Sequence, residues 1–274
     1  MVSRDAETVR LTTRPDAPLP SGDLPPFEPE FVLACGGASG EGRAGMHYRD
    51  LIPGRLGGRY IASHITIAQG GPVADWVHYH RVAFQMIYVR SGWVRVVYED
   101  QGEPFAMHPG DLVLQPPGIR HRVLESSPGL EVIEIGAPAL HETLADHELE
   151  LPNDRIDPER LFDGQRFLRH AAANSRWTSF GGAEAQETAM HAATKGLGQA
   201  RTIRSGGSAE ITFRPHDGEL EFGFVLAGEA RLAADEGHDL TAADAFVVPP
   251  GQAWAIRDTS ADFRLLHVTT SRLG

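Results

Sequence analysis

The sequence has a single cysteine, Cys35, in 274 residues. One thiol cannot close an internal disulfide, so packing must hold the fold, which suits a reducing cytoplasm. Cys35 is expected to be buried and inert. No stretch reaches the roughly 18 consecutive apolar residues of a membrane-crossing helix. Nor does an apolar run before a small-residue cleavage site mark a secretory leader. Positive charge is short as well: 25 Lys and Arg stand against 37 Asp and Glu, a formal charge of −12. Such a chain lacks the basic footprint that phosphate backbones require, so neither nucleic acid nor membrane is an expected partner. Periodic apolar pattern is nearly missing from residues 1–30, which carry six prolines between Pro15 and Pro29. They are read as an extended arm.

Most of the remaining sequence is short strands. From Tyr60 onward, β-branched stretches (Tyr60-IASHITIA, Gln85-MIYVR, Trp93-VRVVYE, Asp111-LVLQ, Arg120-HRVLE, Leu130-EVIEI) are bounded by Gly or Pro. Strands at this spacing without intervening helices predict an all-β sandwich or barrel. The second half repeats the first. His216, Glu221 and Gly228 have the spacing of His80, Gln85 and Gly92, and Pro249-Pro250-Gly251 up to Trp254 parallels Pro116-Pro117-Gly118 up to His121. Two copies of one fold are therefore expected: 31–138 and 164–274, joined by a charged linker, 139–163, with at most one short helix.

The chemistry-bearing residues gather between 71 and 121. His78 and His80 stand two apart on a strand and share a face. Gln85 is at odd spacing from His80, so a turn near Arg81-Val82-Ala83 must carry it to the next strand, on the face of Ile87 and Val89. His121 follows the rigid Pro116-Pro117-Gly118 turn. A His-x-His pair is weak evidence alone; four such groups from three strands predict a metal pocket. Three further residues are pocket candidates for catalysis. Tyr98 shares parity with Val94 and Val96, Glu134 stands between Ile133 and Ile135, and His64 lies on a strand whose inward face the sequence leaves open. His108 reads as a turn residue, and His141 and His147 as solvated linker residues.

These residues resemble the two motifs of the cupin superfamily, G-x5-H-x-H-x3/4-E-x6-G and G-x5-P-x-G-x2-H-x3-N, and the repeat resembles a bicupin. The likeness covers residues 55–137 well and 195–270 more loosely. It implies two tandem jelly-roll β-barrels, with His78, His80, Gln85 and His121 as ligands of one divalent transition metal in the first. Three departures stand out: one extra residue between Gly71 and His78, Glu125 in place of Asn, and Gln85 in place of Glu. Gln85 offers a neutral oxygen, so the ion's charge is uncompensated and its Lewis acidity is raised, while the built-in base is lost. The ligand set suits Fe, Mn, Ni, Cu, Co or Zn. Cupins resembling this one in having three histidines and a glutamine include cyanohydrin-cleaving lyases and an isomerase of antibiotic biosynthesis.

The function expected from this reading is a metalloenzyme acting on a small oxygen-bearing substrate. A dioxygenase is favoured, with a redox-neutral isomerase or lyase as the alternative and a metabolite-binding cupin as the rival from another class. The resemblance also implies a homodimer. In the second repeat, Arg214, His216, Glu221 and Trp254 replace the four ligands, and only two can bind metal. That barrel is expected to be structural, with His216 and Glu221 as a hydrogen-bonded pair.

Overall fold

A computed structural model describes residues 10–11, 24–36, 39–41, 46–207, 210–234 and 236–273. Strands form two barrels, each closed by two packed sheets, in the jelly-roll arrangement. In the first barrel one sheet runs, in order, through Arg10–Leu11, Thr143–Ala145, His78–His80, His121–Ser126, Val94–Tyr98 and Phe105–Met107, with Gly71–Pro72 also paired to His121–Ser126. The facing sheet runs through Leu168–His170, Leu112–Leu114, Phe84–Ser91, Leu130–Ala137, Ile61–Ile67, Met46–Asp50 and Gly40–Glu41. The second barrel repeats the plan, with Leu220–Ala227 and Arg264–Thr270 at the places of Phe84–Ser91 and Leu130–Ala137.

Strand alternation sorts side chains into two cores. Along Phe84–Ser91, Ile87 and Val89 point into the first barrel with Val94, Val96, Tyr98, Val113 and Val132. Phe84, Met86 and Tyr88 point the other way. There they meet Phe222, Phe224, Leu266 and Val268 of the second barrel in one continuous apolar layer. The sheet between them is buried on both faces, so Phe84-QMIYV reads as a nearly unbroken apolar run. A buried fork reinforces this contact: Arg59 Nε and Nη2 each donate to Glu219 at 2.8 Å.

Two strands pair across the expected limits of 31–138 and 164–274. Val32–Ala34 pairs with Ala245–Val247 and so completes a sheet of the second barrel. Leu168–His170 pairs with Leu112–Leu114 and completes a sheet of the first. Each half thus lends an edge strand to the other, which satisfies backbone groups a bare edge would expose. The segment 139–163 is not helical. Its Thr143–Ala145 pairs with His78–His80, and Phe162 joins the first barrel's core. Of the arm, residues 24–30 lie along the first barrel, where Glu28 N donates to Leu56 O at 3.2 Å. Residues 1–9 and 12–23 lie outside the described residues. Cys35 is exposed, not buried, because it follows the last paired residue of its strand. No helix among the described residues is long and apolar enough to cross a membrane.

Candidate metal centre

His78, His80 and His121 converge. Their ligand atoms all lie within 4.8 Å of one another, on the neighbouring strands His78–His80 and His121–Ser126. Two local devices place them. The chain breaks at 81–83 between His78–His80 and Phe84–Ser91, so the glutamine strand crosses to the opposite sheet. Gly118, at φ +73°, makes the turn that delivers His121. Its N–H donates to His80 O at 3.1 Å, tying the turn to the first pair.

Each imidazole is held through its Nδ1. His78 Nδ1 lies 2.8 Å from Trp76 O, and His121 Nδ1 lies 3.1 Å from Ile119 O. A carbonyl only accepts, so in both rings Nδ1 carries the hydrogen and Nε2 the lone pair. His80 Nδ1 is 3.0 Å from the Thr143 hydroxyl. This is how metal-ligating histidines are usually oriented, with the far nitrogen fixed by a hydrogen bond. Asp75 stands behind His78, its Oδ1 3.5 Å from Nδ1, while its Oδ2 accepts from Val123 N at 3.0 Å. Three convergent imidazoles in a largely buried place suit a cation. The triad therefore fits a divalent transition metal, as the sequence predicts.

Gln85 is 1% exposed and faces the barrel interior from the opposite sheet. Its Nε2 donates to Glu134 Oε1 at 2.7 Å. The Tyr98 ring stacks 5.5 Å from that of His121. Burial first, and the charge of Glu134 second, push the Tyr98 phenol well above its ordinary value, so it stays protonated at neutral pH. Tyr98, Glu134 and Gln85 therefore share the interior with the triad. His64 does not. Ile65 takes the inward place on that strand, so His64 faces the second barrel. There it meets Glu131 Oε2 at 2.8 Å and packs edge-on against Phe224.

Sequence reasoning missed two neighbours of the triad. Thr143 lies in the expected linker, where a three-residue strand leaves no periodic signal. His141, expected to be solvated, is half-buried and packs edge-on against His80 at 5.5 Å between ring centroids.

In the second barrel the corresponding positions hold no triad. Trp254 stacks flat on Phe213 at 3.7 Å and donates its Nε1–H to Glu221 Oε1 at 3.1 Å. Glu221 Oε1 is hydrogen-bonded to His267 Nε2 at 3.0 Å; His216 Nε2 stands 3.6 Å from Glu221 Oε2, beyond hydrogen-bond reach, and bonds Val248 O at 3.0 Å.

The family model of the cupin domain matches twice, over residues 63–135 and 201–269. The chain is a cupin. No curated protein is similar enough in sequence to lend it an activity. Among solved structures it is similar to the protein Ylba from E. coli, with TM-score 0.61 and 14% identity over 91% of this chain and 94% of that one. Oxalate decarboxylase from Lactobacillus farciminis, in a formate complex, matches with TM-score 0.64 and 12% identity over 91% and 87%. The Bacillus subtilis oxalate decarboxylase at pH 4.6 matches with TM-score 0.62 and 12% identity over 92% and 78%. Likeness at this identity shows the bicupin fold alone, and function has to be argued from the site.

Proposed function

We propose that this cupin is a metal-dependent enzyme that moves a proton on a small, oxygen-bearing organic substrate, with Glu134 taking and returning it. The hydrogen bond from Gln85 Nε2 to Glu134 Oε1 carries the reading. A glutamine ligand removes the carboxylate that cupins of this resemblance hold at the metal, and Glu134 supplies one beside it. An ionised carboxylate only accepts, so the NH2 of Gln85 faces Glu134 and Gln85 Oε1 is the atom available as fourth ligand to His78, His80 and His121. When bound, a divalent ion supplies Lewis acidity toward a carbonyl or hydroxyl oxygen.

Glu134 has one oxygen engaged by Gln85. Its other oxygen makes no hydrogen bond among the described residues and can accept a proton from a carbon beside the polarised oxygen. Returned to a different atom, that proton completes an isomerisation; returned after a bond has broken, it completes a lyase step. Tyr98 remains a donor to substrate oxygen. Both outcomes balance without dioxygen, so the geometry favours the redox-neutral reading over the dioxygenase expected from the family resemblance.

The test is a panel of 2-oxo, 2-hydroxy and dicarboxylic acids and diketones, followed in D2O by NMR and with an oxygen electrode. The expected result is solvent deuterium in substrate or product without dioxygen uptake. Glu134→Gln should slow exchange by about 10²–10⁴-fold with metal content unchanged. Stoichiometric dioxygen uptake would establish the dioxygenase instead, and saturable binding without turnover a metabolite-binding cupin.

A further inference from the structure

The second barrel holds a cavity that the metal chemistry leaves unused. Its volume is about 310 Å³, and its lining includes Phe180, Arg201, Phe213, Arg214, Glu221 and His267. That is the lower end of the roughly 300–1,000 Å³ typical of small-molecule sites. Where the first barrel gathers three imidazoles, this one presents a carboxylate floor, aromatic walls and an arginine at the mouth.

The Glu221 side chain is only 4% exposed. Trp254 Nε1 and His267 Nε2 both address Oε1, so that oxygen is fully engaged. Oε2 is buried and has no hydrogen-bond partner, and His216 Nε2 stands 3.6 Å from it. A carboxylate oxygen withdrawn from water without a donor is costly, and native structures rarely leave one so. Glu221 lines the cavity, so a donor entering it would satisfy that oxygen.

The other end has the opposite character. Arg214 is exposed and makes no hydrogen bond or ion pair among the described residues. Arg201 is partly neutralised, with Glu187 Oε1 3.0 Å from its Nε, and its guanidinium lies over the Phe180 ring at 4.7 Å. An arginine fork at a cavity mouth suits a carboxylate.

We infer that the second barrel binds a small carboxylate carrying a hydroxyl or ammonium group, the donor on Glu221 Oε2 and the carboxylate at Arg214. The site is separate from the histidine triad and needs no metal. It makes the second repeat a binding module with its own ligand rather than a scaffold.

Isothermal titration of the full chain with L-lactate and L-serine, and with propionate as the carboxylate lacking a donor, tests this. Saturable binding of a donor-bearing probe is expected, with propionate at least about tenfold weaker. Glu221→Gln presents an NH2 to the incoming donor and should weaken the donor-bearing probe by about tenfold or more. Arg214→Ala, at an exposed position, should weaken all three probes and serves if Glu221→Gln does not fold. His121→Ala should leave binding unchanged. The inference is overturned if neither donor-bearing probe saturates, if both second-barrel variants bind as the parent does, or if His121→Ala abolishes the signal.

Discussion

Glu134 accepts a 2.7 Å hydrogen bond from Gln85, and His267 meets Glu221 at 3.0 Å at the same place in the second barrel. In each case the residue stands two before the cross-strand partner of its mate: Gly136 faces Gln85, and Thr269 faces Glu221. The repeat has kept the pairing and exchanged its chemistry. Amide and carboxylate stand beside three imidazoles in one barrel; carboxylate and imidazole stand beside a tryptophan in the other.

If Glu134 fixes which face Gln85 turns to the metal, removing its acceptor should loosen the metal. Glu134→Leu is expected to weaken metal affinity by about 10–100-fold, the usual effect of losing such a supporting group. Glu134→Gln retains an acceptor and should keep affinity near the parent value. Competition with a chromophoric chelator measures both.

Thr143 should act similarly on His80. Thr143→Val keeps the shape and removes the hydroxyl 3.0 Å from Nδ1. A loss of metal affinity of about tenfold is expected, with the circular dichroism spectrum unchanged.

The contact between the barrels depends on a charge pair that water does not reach. Arg59 and Glu219 have side chains 9% and 5% exposed, and Tyr60 Oη adds a hydrogen bond to Glu219 at 3.3 Å. Glu219→Ala leaves the guanidinium buried without its partner and should cost about 3–5 kcal/mol. Chemical denaturation of the two proteins gives the difference directly.

Acidification should destabilise the fold through its buried histidines. Burial holds His267 below its ordinary value of 6.5, against the opposing hydrogen bond and charge of Glu221. His64 is lowered by burial too, with Glu131 opposing. As pH falls below about 6.5 the unfolded chain takes up protons that the folded chain refuses, so stability declines until the folded-state values are reached. His267→Gln keeps a donor for Glu221 and removes one such group. Its melting temperature should fall less steeply than that of the parent between pH 7 and pH 5.

Much of this was legible in the sequence. The His78-x-His80 parity, the break at 81–83 and the Pro116-Pro117-Gly118 turn are local signals, and they were enough to bring three histidines together. Tyr98 followed from its alternation with Val94 and Val96. What escaped depends on long-range pairing. Alternation says that His64 and Ile65 face opposite ways, but only the second barrel's Phe224 decides which side is the core. The exchanged strands Val32–Ala34 and Leu168–His170 are three residues each, too short to show a period or a destination. His267 carries no motif; it becomes visible as the counterpart of Glu134 only once the cross-strand registers are known.

The central claim is that one divalent ion is held by the first barrel and none by the second. Elemental analysis of protein purified without added metal tests it most directly. About one equivalent per chain is predicted, falling to near zero in His121→Ala with the fold retained. No bound transition metal in the parent protein, or two tightly bound equivalents, would contradict the account.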